Sequence, residues 1–196
     1  MELGTKGRRV YIGKLAGTSV FDPLGDQVGK VHDVVVVFRL KSEANVIGVV
    51  VEVGPRKRVF LPLTRITSIE SGSVITTGLL NIRSFNQRPI ETLVVSELFD
   101  RVVTMNDGSG QVQILDVAMR QRRPKDWVIS TLHVQRVRTS ALGFSRRGET
   151  LTVDVSEVSG LLKTDSNQAA TALVQYTEDM RPADLADFMH TLPLDR

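Results

Sequence analysis

The sequence contains no cysteine. Disulfides, thiolate metal sites and cysteine nucleophiles are excluded, and a reducing compartment suits the chain. Aromatic residues are scarce, at 5%, so the core of this 196-residue chain must be built from Val, Leu and Ile. No apolar run approaches the ~20 residues that a bilayer-spanning helix needs. The basic N-terminus, MELGTKGRRVYIGKL, lacks the apolar stretch of a secretion signal. These absences predict a cytoplasmic protein whose route to a membrane is a partner or a missing C-terminal region. Catalytic signatures are also wanting. The histidines, His32, His133 and His190, lie in three different segments, with no H-E-x-x-H or G-x-S-x-G pattern beside them. An enzyme is not expected.

What is present is β-rich and repetitive. Residues 21–38, FDPLGDQVGKVHDVVVVF, run from a glycine turn through a polar stretch into four consecutive valines. Residues 105–117, MNDGSGQVQILDV, echo them: Gly25 and Gly108, and Asp33 and Asp116, are each 83 residues apart. Val31 falls on Ile114, and Val34 on Val117. Each copy continues into a second β-rich run, 46–51 and 127–132, and a third, 58–63 and 149–154. Each closes on a short apolar turn, 66–69 and 155–158. Short strands separated by turn signals predict a small barrel or sandwich, and closure would protect the edges of such valine-rich strands. The expected fold is therefore mainly β, with two small β-barrels in tandem over 9–80 and 93–162, joined by a polar linker at 81–92. Val34–Val37, apolar on both faces, need a cover, which is either the second barrel or a terminal helix.

The character changes after Gly160. Residues 165–177, DSNQAATALVQYT, are rich in helix formers, with Asp165 or Ser166 as a candidate N-cap. A second helix is expected after Pro182, where Leu185, Phe188, Met189 and Leu192 share one face. Residues 165–196 thus form a C-terminal α-helical segment, which packs on a barrel or continues into further chain.

These motifs resemble known families. The stretch VFDPLGDQVGKVHDVVV, then VIGVVVEV, then RVFLPLTRITSI looks like a PRC-barrel domain, the small β-barrel of the photosynthetic reaction-centre H subunit and of the ribosome maturation factor RimM. Val20, Asp22, Gly25, Val28, Gly29, Val31, Asp33 and Pro62 fit the family pattern. The second half keeps Gly108, Val112 and Asp116 but lacks the proline, as a degenerate copy would. The final segment, MRPADLADFMHTLPLDR, is similar to the opening of the intracellular N-terminal domain of MgtE-type magnesium transporters. The resemblance implies the N-terminal part of a bacterial protein that joins PRC-barrels to an MgtE-type domain, and through it a link to magnesium.

Several residues are candidates for chemistry. Asp33 and Asp116 could ligate a cation, or accept backbone N–H groups at a turn, the simpler role. Gly25 and Gly29 precede a strand and lack a Walker pattern, so turn geometry accounts for them better than phosphate binding. The resemblance to MgtE makes Asp184 and Asp187, in the acidic stretch that includes Glu178 and Asp179, candidate Mg2+ ligands; a solvated helix face is the plainer alternative. The net charge of +3 is small, but cations concentrate at 120–147. Arg120, Arg122, Arg123, Lys125, Arg136 and Arg138 form a candidate surface for a partner, RNA, the ribosome or anionic lipid, or else a wetted barrel exterior. Trp127 at a strand start is expected in the core. The expected function is a non-enzymatic regulatory or adaptor module that docks a protein partner or its own C-terminal domains, with a magnesium-linked change in docking. The alternative is an RNA- or ribosome-binding module.

Overall fold

The computed structural model describes residues 8–38, 43–70, 72–78, 83–139 and 145–162. The helical calls at 165–177 and after Pro182, and with them Asp184 and Asp187, lie outside the described residues. The fold is mainly β. The first half contains β1 (Arg9–Tyr11), β2 (Ser19–Phe21), β3 (Gln27–Val37), β4 (Asn45–Glu52), β5 (Arg58–Pro62), β6 (Ile66–Glu70) and β7 (Ser73–Thr76). The second contains β8 (Glu91–Leu93), β9 (Val102–Met105), β10 (Gln111–Arg123), β11 (Asp126–Thr139), β12 (Ser145–Asp154) and β13 (Val158–Ser159). A one-turn helix, α1 (Ile12–Leu15), follows β1, and a π-turn, Val94–Leu98, follows β8.

The repeat extends to backbone irregularities. In β3, Val31 pairs with Val51 and Asp33 with Val50, which leaves His32 as the extra residue of a bulge. In β10, Ile114 pairs with Val134 and Asp116 with His133, which leaves Leu115 in the same role. A bulge flips the side-chain alternation. This is why the run VHDVVVV does not read as a simple amphipathic strand. Gly17 and Asp100 occupy equivalent left-handed corners, with φ of 81° and 62°. At each corner the N–H donates across to the matching strand carbonyl, Val31 at 2.7 Å and Ile114 at 2.8 Å.

The expectation of two self-contained barrels needs correcting in one respect. Among the described residues all thirteen strands join one sheet, and that sheet is not closed. Within the first half the order is β5-β4-β3-β2-β7-β6, and within the second it is β12-β11-β10-β9-β13. The halves then trade their leading strands. β1 pairs with β10 of the second half, Val10 opposite Met119. β8 pairs with β3 of the first half, Val36 opposite Thr92. The long strands β3 and β10 outrun β2 and β9, and an unfilled edge on a valine-rich strand is a liability. The other half fills it. Strand β8 of the second half thus fills the open edge beside Val35–Val37, which is pairing within the sheet and not the cover over a face that was expected for Val34–Val37. A short antiparallel ladder, Trp127 opposite Val46 and Val128 opposite Asn45, joins β11 to β4 at the seam. Trp127 is buried there, as are Ile129 and Leu132 beyond it.

The polar segment expected as a linker is held against the body where it is described. Ser84 bridges to Val59, the Phe85 N–H donates to the Arg58 carbonyl at 2.7 Å, and Phe85 stacks on Phe60 at 6.1 Å.

Each traded segment is held by one of the repeat-related aspartates. Asp33 is fully buried. Its Oδ1 accepts the N–H groups of Val34 at 2.7 Å and Val95 at 2.8 Å; its Oδ2 accepts the Ser96 N–H at 2.9 Å and hydroxyl at 2.7 Å. Asp116 Oδ1 accepts the N–H groups of Val117 at 2.7 Å and Gly13 at 2.8 Å. A Cβ at Gly13 would lie 2.8 Å from Asp116 Oδ2, so a side chain there would have to displace the carboxylate. Removing a carboxylate strands its donors away from water. Asp33→Ala should therefore lower stability by about 3 kcal/mol or more, and Asp116→Ala, half-buried and with fewer donors, by about 1–2 kcal/mol. Urea melts of the two variants check this ranking.

Candidate functional site

The two aspartates that the repeat singles out are occupied by N–H and hydroxyl donors. That is the turn-binding role, here played across the two halves. Among the described residues no three His, Asp or Glu side chains gather as a metal site. The histidines are dispersed: His32 lies 3.8 Å from Glu52, and His133 sits opposite Thr152 on β11.

The basic run divides by strand geometry. β10 ends and β11 begins around a tight turn in which Lys125 takes a φ of 63°. Arg120 and Arg122 both reach Glu43, at 2.9 and 3.5 Å, and Arg122 also reaches Asp126 at 3.1 Å. Lys125 Nζ donates to the Thr64 carbonyl at 2.8 Å, which ties this turn to the first half. Arg136 donates to the Ser109 carbonyl at 3.0 Å, across to the β9–β10 turn. In that turn the hydroxyl and N–H of Ser109 hold the carboxyl of Asp107 below its ordinary range. Arg123 is exposed at the strand end. Four of the six cations singled out in the sequence thus have partners within the protein. The side chain of Arg138 is outside the described residues.

Below the Glu43 cluster lies an open cleft of about 710 Å3. It straddles the seam. Phe38 and Ala44 come from the first half, where β3 ends and β4 begins; Ile129, Val155, Val158, Leu161 and Leu162 come from the second. The Ile129 N–H donates to the Ala44 carbonyl at 2.9 Å across the cleft floor. One wall is a helical turn at 155–157 with a complete capping box. Asp154 accepts the Ser156 N–H at 2.9 Å, and Glu157 accepts the Asp154 N–H at 2.8 Å. Arg101 fixes the other end by donating to the Leu161 carbonyl. Both acidic groups at the rim are therefore engaged: Glu43 by two arginines, Asp154 by its own turn. What faces the opening is mostly apolar, and Leu162 is 45% exposed. Sequence reading missed this cleft because its walls are about a hundred residues apart along the chain; the adjacent leucines Leu161, buried, and Leu162, exposed, were the one local signal.

Residues 92–164 match the Actinomycetes SH3 domain family. The match begins within β8, the strand lent to the first half, and runs past β13. No curated protein matches the chain. SH3 domains that read proline-rich segments use an aromatic-lined groove. Among the described residues of 92–164 the aromatic side chains are Phe99, partly buried, and Trp127, buried at the seam. Among the described residues, those two do not make such a groove.

Each residue of the Glu43 cluster is about one-third to two-fifths exposed, so solvent screens it. Glu43→Ala should lower stability by less than about 1 kcal/mol at low salt. Melts repeated in molar salt should show the difference shrinking.

Proposed function

We propose that the chain is a non-enzymatic docking module: two PRC-barrel-like units, interlocked by exchange of their leading strands, that serve as the regulatory or adaptor part of an MgtE-related protein. The observation that carries this reading is the apolar cleft at the seam, shaped by both halves and bounded by the residues from which the chain leaves the second one. Rigid elements on both sides, the capped turn and the β4–β11 ladder, suit a surface that binds without changing shape. The SH3 match over the second half is compatible with a protein-binding role. The link to magnesium rests on the C-terminal MgtE-like segment, in which Asp184 and Asp187 are the ligands proposed. A hard cation held by one or two carboxylates and several waters would neutralise that helix face and alter its docking.

In the full chain, millimolar magnesium should raise the melting temperature or slow proteolysis after residue 162, and Asp184→Asn with Asp187→Asn should abolish the effect. Identical melting and cleavage with and without magnesium would remove the sensor role and leave the docking role standing.

The RNA- or ribosome-binding alternative draws on the basic run. With Arg120, Arg122, Lys125 and Arg136 turned to partners in the protein, fewer charges are left to converge on phosphate, and affinity for a polyanion scales with that number. A gel shift with structured RNA should show no retention at physiological salt; salt-sensitive retention lost on charge reversal at Arg122 and Arg123 would favour the alternative.

A further inference from the structure

A second concavity, of about 360 Å3, lies over the outward face of β5. We propose that it binds a nucleoside phosphate, with the phosphate held by Arg65, Arg83 and Arg88 and the base laid against Phe60 and Phe85.

The strand pattern builds the apolar part. Val59 and Leu61 are buried, so Phe60 and Pro62 face outward from β5. Phe60 lies over Gly48, where an added Cβ would come within 2.6 Å of the ring. The segment from Arg83 to Arg88 then crosses the strand, pinned by the Ser84 bridge to Val59 and by the bond from the Phe85 N–H to the Arg58 carbonyl. Phe85 stacks on Phe60 with the ring planes 26° apart. Both rings line the concavity, and both are only partly buried, so each keeps apolar surface for a ligand. Charge supplies the rest. Among the described residues, three guanidinium groups line the concavity against one carboxylate, that of Glu91. Glu91 is buried and engaged by its own turn: it accepts the Arg88 N–H at 2.9 Å, and Arg88 Nε stands 3.8 Å from its other oxygen. The lining therefore carries a surplus of positive charge. Arg65, Arg83 and Arg88 are exposed, so a ligand reaches them from solution. Guanidinium forks match the oxygens of a phosphate. The Ser84 hydroxyl and the Asn86 amide add neutral hydrogen-bonding groups.

A neutral apolar ligand would leave the arginines unanswered, and a bare anion would leave the rings uncovered. A nucleoside phosphate answers both. The volume lies at the small end of the range for ligand pockets, which suits one nucleotide. Glu91 is also the first residue of β8. A ligand that steadies its turn steadies the strand that the second half lends to the first. The inference uses neither the seam cleft nor magnesium, so it stands or falls apart from the function proposed above.

Calorimetric titration of the full chain, without magnesium, tests the site with AMP and UMP as probes. At least one of the two should bind at one site per chain, and its own nucleoside and inorganic phosphate should each bind about tenfold more weakly or less. Arg65→Gln with Arg83→Gln should weaken the nucleotide about tenfold or more, since hydrogen bonds to a charged group are lost. Arg123→Gln, an exposed arginine at the end of β10, should leave its affinity unchanged. Should the double variant disturb folding, Phe85→Leu keeps the apolar bulk and should weaken the nucleotide while leaving inorganic phosphate as it was. Absence of binding by both nucleotides at millimolar concentration, a nucleoside that binds as well as its phosphate, or full affinity in the Arg65 and Arg83 variant or in Phe85→Leu would overturn the proposal.

Discussion

The fold depends on two carboxylates, each of which belongs to one half of the chain and binds the leading turn of the other. Asp33 gathers donors from its own strand and from Val95 and Ser96; Asp116 does the same with Gly13. Without these contacts β1 and β8 would be three-residue strands laid on open edges, too short to persist by ladder hydrogen bonds alone. With them, Val35, Val36 and Val37 are paired on both edges, and the two halves cannot separate without exposing buried N–H groups. The exchanged contacts span 62 to 103 residues. Loops of that length must close before the contacts form, so the chain should fold slowly for its size.

Much of this was readable in residues. The 83-residue spacing of Asp33 and Asp116 marks the two carboxylates that hold the structure together. The non-alternating VHDVVVV reflects a bulge at His32 with a twin at Leu115. The exchange itself was not readable. Arg9–Tyr11 and Glu91–Leu93 are too short to carry a pattern, and two edges of similar chemistry compete for each. The repeat is also blurred at this point. The π-turn Val94–Leu98 has one residue more than α1. Gly13 therefore aligns with Val95 at a spacing of 82, while Gly17 aligns with Asp100 at 83. The arginines were visible as a charged run, but Glu43, which takes up Arg120 and Arg122, stands 77 residues before Arg120. Only the folded seam brings them together.

The same seam makes the cleft. Because the first residues of β4 and β11 pair side by side, Ala44 and the turn beside Val155 line one cleft with an apolar floor. Neither half alone would enclose it. A docking surface built this way depends on the interlocked state, which ties the proposed function to the exchange of strands more directly than to the chemistry of any one side chain.

The most direct measurement of that exchange is on a chain cut between the halves. With a specific protease site placed at 79–82 and cleaved after folding, the account predicts that the two fragments stay together as a one-to-one complex. They should co-elute on gel filtration and unfold in one transition, and neither should refold alone after separation in denaturant. Two fragments that part on cleavage and each melt cooperatively by themselves would contradict it.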